Sequence, residues 1–203
     1  CLLDAKRALA WIKREITGYG GNPDFVAVTG GSAGGHLAAM MALTANTPAL
    51  QPGFAEADTS VQAAVLMYGA YDFTNSNSSW AGASLERYLR KFVMPPDSPA
   101  PYWREASPKF NLRAAMPPIF AIHGSNDALI FVEDARDFVA AAKAISSAPV
   151  IYAELDGAQH GFDLFHSVRT ELSIRAVEQF LEYGHHSCNG TEVFQHHFSQ
   201  KSG

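Results

Sequence analysis

Gly30-Gly31-Ser32-Ala33-Gly34 confines the chain around it to one local geometry. Before it runs Phe25-Val26-Ala27-Val28-Thr29, an apolar, β-branched stretch with the character of a buried strand. After it, Gly35-His36-Leu37 through Leu43 continues as a helix. A strand that turns into a helix within so few residues needs glycine, because only glycine lets the two backbones meet with no side chain between them. Such a turn raises the serine hydroxyl above the strand end and aims the first N–H groups of the helix at the same space. In this strand–turn–helix setting the pattern G-x-S-x-G reads as a nucleophile elbow. The plain alternative is a Gly-rich turn that cradles a phosphate. Neither the dinucleotide pattern G-x-G-x-x-G nor the Lys-Ser/Thr ending of a P-loop is present.

A serine hydroxyl is a weak nucleophile unless a base takes its proton and an acid orients that base. Two later segments supply both. Pro118-Ile119-Phe120-Ala121-Ile122 reads as a buried strand ending in the polar turn His123-Gly124-Ser125-Asn126-Asp127. Val150 to Leu155 reads as another, ending in Asp156-Gly157-Ala158-Gln159-His160-Gly161-Phe162. In parallel α/β sheets, ligands bind beyond the carboxyl ends of the strands. Ser32, Asp127 and His160 all fall on that edge, in the order nucleophile, acid, base.

Rival residues have plainer roles. Asp72, after the strand 63–68, is expected to brace its loop. Asp156 and Asp163 lie too near His160 in sequence to approach it from a separate strand end. Among the other histidines, His36 is expected to pack or bond within its helix, and His123 to fix the Asp127 loop. His166 lies in a helix-like segment, and His185, His186, His196 and His197 fall near the C-terminus.

The alternation of apolar runs and helical spacing gives an α/β fold, a mostly parallel sheet covered by helices on both faces. Strands are expected at 25–29, 63–68, 118–123 and 150–155. Helices are expected at 2–17, with Leu2, Ala5, Leu9, Ile12 and Ile16 on one face, and at 132–146. A closing helix spans 167–183, with Ile174, Val177, Phe180 and Leu181 inward. Residues 73–116, rich in Ser, Asn, Pro and aromatics, interrupt the alternation and read as a lid or binding insertion. The catalytic domain spans 1–183, and 184–203 reads as a polar tail.

Gly30 to Ala38, His123-Gly124-Ser125-Asn126-Asp127 and His160-Gly161-Phe162 together resemble the hormone-sensitive-lipase-like esterases of the α/β-hydrolase superfamily. The likeness is greatest to bacterial, especially mycobacterial, carboxylesterases, and extends to about Tyr183. It implies an α/β-hydrolase fold and hydrolysis of carboxylic esters through an acyl-enzyme, with Ser32 as nucleophile, Asp127 as acid and His160 as base. Thioesters, arylformamides and peptides suit the same three groups, and a non-catalytic scaffold could keep the same fold. Many such esterases carry Asp before the serine, where this chain has Gly31. They also carry a His-Gly-Gly-Gly loop upstream that supplies oxyanion donors. No such loop precedes Ser32, and the chain begins at Cys1, so the expectation is a C-terminal portion of a larger hydrolase. The Ala33 N–H is then the expected oxyanion donor. Each donor lost costs about 10²–10³ in rate, so the chain alone is expected to be impaired.

Composition narrows the partners. A net charge of −5 gives nucleic-acid binding no electrostatic support. No apolar run is long enough for a membrane span. Two cysteines make no disulfide framework, and the polar His-rich tail fits no zinc spacing. The expected partner is a small-molecule ester, with no cofactor and no metal. Oligomeric state and compartment stay open, the cytoplasm being the default.

Overall fold

The computed structural model describes residues 1–76, 87–95 and 97–188. Among them, four strands form one sheet in the order β1 (Ala27–Gly31), β2 (Ala63–Met67), β3 (Ile119–Gly124), β4 (Val150–Leu155). Every pairing is parallel, with Gly31 beside Met67 and Met67 beside Ile122. Parallel neighbours need crossover connections. Helix α2 (Ala33–Leu43) lies between β1 and β2, and α4 (Val132–Ile145) between β3 and β4. Helix α1 (Leu2–Glu15) precedes the sheet, the short α3 (Ala100–Glu105) lies between β2 and β3, and α5 (Val168–Cys188) closes the fold.

Successive residues of a strand point to opposite faces, and the core divides accordingly. Ala64, Leu66, Ile119 and Ala121 pack with Leu9 of α1, the apolar residues of α2, and Phe138, Val139 and Ala142 of α4. Ala63, Val65, Phe120 and Ile122 pack instead with Phe180 of α5. Leu66, Ile119 and Ile122 are at most 1% exposed, and each such burial contributes about 1.5–3 kcal/mol. Helix α2 is buried along most of its length, which explains its lack of a polar face. Lys6 is an unforeseen core residue. It is fully buried on α1 and donates to the carbonyl of Thr44 at the end of α2, and burial pushes its ammonium down to about 8.

The expected strands are present, 150–155 with the expected ends and the other three with shifted ones. The first runs 27–31 rather than 25–29, so Gly30 and Gly31 close the strand instead of forming part of the turn. Helix α1 ends at Glu15 and a 3₁₀ turn carries Ile16 to Tyr19. The closing helix runs past Tyr183 to Cys188, taking in the start of the expected tail, including His185 and His186. Ile174 is 52% exposed, not inward. The inward line of α5 passes through Ser173 and Phe180, and Ile174 stands about 100° round from Ser173. His166 precedes α5 in a loop rather than a helix.

Within the 73–116 stretch, Phe73, Leu89, Met94 and Trp103 form a small core of their own with Ala70 and Ile130. Trp103 therefore packs inward, while Tyr88 and Tyr102 are exposed. Trp80 and residues 189–203 lie outside the described residues.

Candidate active site

The turn after β1 has the geometry that its glycines require. Ser32 adopts φ 58° and ψ −122°, a left-handed conformation that a serine takes only under constraint from its surroundings. Its N–H donates to the Met67 carbonyl at 2.9 Å, and its carbonyl accepts the His36 N–H at 3.1 Å, starting α2. A Cβ on Gly30 would stand 2.4 Å from the Gly34 carbonyl, so strand and helix can cross there only without a side chain. Ala33 opens α2, and its N–H is among the four at a helix start with no partner one turn back.

The loops after β3 and β4 bring the other two expected residues to this turn. His160 Nε2 lies 2.8 Å from Ser32 Oγ, and His160 Nδ1 lies 2.7 Å from Asp127 Oδ2. The two contacts span 128 and 33 residues of sequence. Asp127 Oδ1 accepts the N–H groups of Leu129 and Ile130, both at 2.9 Å, which fixes the carboxylate plane. Burial pushes the Asp127 carboxyl up. Hydrogen bonds from His123, His160 and the backbone of Ile130 and Leu129 outweigh it and hold the group well below the usual carboxylate range. A carboxylate so fixed selects the imidazole tautomer with its proton on Nδ1, leaving Nε2 to accept from Ser32 Oγ.

His123 is fully buried behind this group. Its Nε2 donates to the Ile130 carbonyl at 2.8 Å and lies 3.3 Å from Asp127 Oδ2, so it holds the Asp127 loop as expected. Asp72 is the loop brace that its position implied: it accepts from the backbone and hydroxyls of Thr74 and Ser76. Burial pushes its carboxyl up, and those donors bring it below its ordinary value. His36 departs from expectation. It bonds outside its own helix, with Nε2 2.8 Å from the Ala106 carbonyl and its ring stacked on Phe73 at 4.4 Å.

Sequence reading overlooked Asp134 and Tyr68. Asp134 is buried on α4 and accepts the Tyr71 N–H at 2.6 Å, while its Oδ1 has no hydrogen-bond partner among the described residues. Burial pushes this carboxyl up to about 6. Tyr68 packs its ring against His160. Neither residue belongs to a local motif that would have marked it. Among the described residues no group of three His, Cys, Asp or Glu side chains could hold a metal ion. Among the same residues no helix is long and apolar enough to cross a membrane.

Residues 1–141 match the BD-FAE family. The chain belongs to that family. This BD-FAE chain is 50% identical over 181 residues to "Probable carboxylic ester hydrolase LipM" of Mycobacterium tuberculosis, a match covering 89% of this chain and 42% of LipM. It is 45% identical to the esterase LipQ of the same organism (89% of this chain, 43% of LipQ) and 42% identical to the esterase LipC (92% and 47%). The expected likeness to mycobacterial carboxylesterases is thus borne out, and the chain spans less than half the length of these relatives. Among solved structures, the apo form of Thermogutta terrifontis esterase 2 superposes with a TM-score of 0.72 at 26% identity, covering 90% of this chain and 64% of that one. A truncated carbohydrate esterase from gut microbiota superposes with a TM-score of 0.73 at 19% identity, covering 93% and 68%. The BD-FAE chain has the α/β-hydrolase fold of these neighbours.

Proposed function

We propose that this protein is a serine carboxylesterase in which Ser32 attacks the ester carbonyl, His160 moves the proton and Asp127 orients the imidazole. The carrying observation is the double contact of one imidazole, 2.8 Å to Ser32 Oγ on one side and 2.7 Å to Asp127 on the other. The names of LipM, LipQ and LipC as ester hydrolase and esterases support the substrate class.

The reaction follows from the geometry. Nε2 of His160 takes the Ser32 proton as Oγ adds to the carbonyl carbon. Negative charge gathers on the carbonyl oxygen, toward which the Ala33 N–H at the start of α2 contributes a donor. The imidazolium, stabilised by the Asp127 carboxylate, then protonates the departing alkoxide and leaves an acyl-serine. Water repeats the sequence, giving up a proton to Nε2 and releasing the acid. These steps need His160 neutral at the outset and Asp127 ionised throughout, and the low position of the Asp127 carboxyl suits the second requirement. In this reading residues 1–183 form the catalytic portion and 73–116 serve as a lid or binding insertion, of which 77–86 and 96 lie outside the described residues. The Asn126–Ala158 backbone bond, 3.0 Å, braces the acid loop against the base loop.

The test is hydrolysis of p-nitrophenyl esters of short acids by the intact protein and by its Ser32→Ala variant. The parent is expected to turn over and the variant to lose at least about 10⁴-fold in kcat. Equal rates would remove Ser32 from the mechanism. Turnover of amides or thioesters, with esters untouched, would change the substrate class and leave the three residues in place.

A further inference from the structure

Tyr68 stands between the loops that carry Ser32 and His160, and the steps above make no use of it. It follows β2 directly, next to Met67, whose carbonyl receives the Ser32 N–H. Its own N–H donates to the Ile122 carbonyl at 2.8 Å, yet its φ is 39°. A tyrosine adopts that left-handed conformation only where other contacts impose it.

Three of those contacts reach the His160 loop. Tyr68 is 5% exposed, and its ring meets the imidazole of His160 edge-on, with centroids 4.8 Å apart. It meets Phe162 in the same manner at 5.2 Å. Its hydroxyl donates to Asp163 Oδ1. Burial and the neighbouring carboxylate push the phenol further up, so it remains a donor. The ends of the loop are tied elsewhere. Ala158 accepts from Asn126 at one end, and Thr170 Oγ1 lies 2.8 Å from the Phe165 carbonyl and 3.1 Å from that of Phe162 at the other, with one proton to give. Between those ties, the side chains of His160, Phe162 and Asp163 all rest on one tyrosine.

The remaining side of the phenol faces the nucleophile turn. A Cβ on Gly31 would stand 2.4 Å from the Tyr68 hydroxyl oxygen and 2.7 Å from the ring carbon that bears it. The residue before Ser32 therefore lacks a side chain because Tyr68 occupies that space.

We propose that Tyr68 is a positioning residue, a clamp seated on Gly31 that holds the His160 loop over Ser32 through its ring and its bond to Asp163. This rests on the roles given above to Ser32 and His160. The clamp acts on geometry: Nε2 must stay within hydrogen-bond reach of Oγ while the proton moves, and a displacement of about 1 Å can cost about 10²-fold in rate.

The test is a pair of double-mutant cycles in the intact protein, read by kcat and KM on a p-nitrophenyl ester and by the rate of Ser32 phosphonylation with a fluorophosphonate. Tyr68→Phe keeps the ring and loses the hydroxyl; Asp163→Ala loses the acceptor. Each is expected to lower kcat about tenfold with KM held within about twofold, and the double variant is expected to be no worse than either single one. Asp163→Asn, which retains an acceptor oxygen, is expected to fall less than about threefold. In the second cycle, Gly31→Ala is expected to slow phosphonylation in the parent and to have no further effect on Tyr68→Ala, where the ring is gone. Unchanged kcat in Tyr68→Phe, or additive losses in the first cycle, would overturn the clamp while leaving Ser32 as nucleophile. A parent protein that does not react at Ser32 would overturn the reading of the site and the clamp with it.

Discussion

His160 Nδ1 and Asp127 Oδ2 lie 2.7 Å apart, and the other oxygen of the same carboxylate is held by two backbone N–H groups of its own loop. The Asp127 carboxylate is thus fixed by its own loop before it meets the imidazole. Asp127→Asn keeps the size but turns one oxygen into a donor, which favours the wrong imidazole tautomer. The expected loss in kcat is on the order of 10⁴-fold, with KM little changed, measured on a p-nitrophenyl ester. Because the folded carboxyl sits below its ordinary value of about 3.9, its contribution to stability is complete above that pH and is lost only as the pH falls through the folded value. Thermal melts of parent and Asp127→Asn should therefore differ at neutral pH and converge as the pH falls toward the folded value.

Asp134 has the opposite sign. Its folded carboxyl lies at about 6, above the unfolded value, so the folded state holds a proton that the unfolded chain has released. The stability that this proton provides is full below about pH 4 and disappears as the pH rises through 6. The change amounts to about 3 kcal/mol for a shift of about two pH units. Urea unfolding of Asp134→Asn should show its stability, relative to the parent, rising by about that amount between pH 4 and pH 7.5. A pH-independent difference would contradict the assignment.

Gly30 tolerates no side chain, because the obstruction is the Gly34 backbone, 2.4 Å from a Cβ, rather than a movable side chain. Gly30→Ala should displace α2 from β1, destabilise the fold by about 3 kcal/mol and lower esterase activity further than the fraction unfolded explains. Denaturant melts alongside kcat separate the two effects.

His36 ties α2 to the insertion through the Ala106 carbonyl and the face of Phe73. Burial holds its imidazole below the ordinary value, and the Ala106 bond offsets this only in part, so it stays neutral at physiological pH. His36→Ala should cost about 2 kcal/mol and expose residues 97–107 to limited proteolysis, with cleavage mapped by mass spectrometry.

Much of this was legible because the chemistry sits where apolar runs stop. Ser32, Asp127 and His160 each follow a parallel strand, fully buried in β3 and only partly covered in the edge strands β1 and β4, and parallel pairing gathers strand ends on one edge whatever the distance in sequence. Gly30 and Gly31 read as part of the tight turn but belong to β1, because their backbone still pairs with Leu66 and Met67. Ile174 read as inward because apolar character alone does not place the centre of a helix face. The roles of His36 and Tyr68 were hidden for another reason. Their partners Ala106 and Asp163 lie 70 and 95 residues away, and no local pattern encodes such a meeting. Lys6 was hidden likewise, its partners being a helix-end carbonyl and a threonine from two distant loops.

The central claim is that Ser32 Oγ is the atom activated by His160. It is tested most directly by treating the protein with a fluorophosphonate and mapping the adduct by peptide mass spectrometry. The reagent suits the question because only a serine oxygen activated by a neighbouring base attacks its phosphorus. One phosphonyl group on Ser32, absent after His160→Ala or Ser32→Ala, is the expected result. An adduct on another residue, or one on Ser32 that forms equally fast without the imidazole, would contradict it.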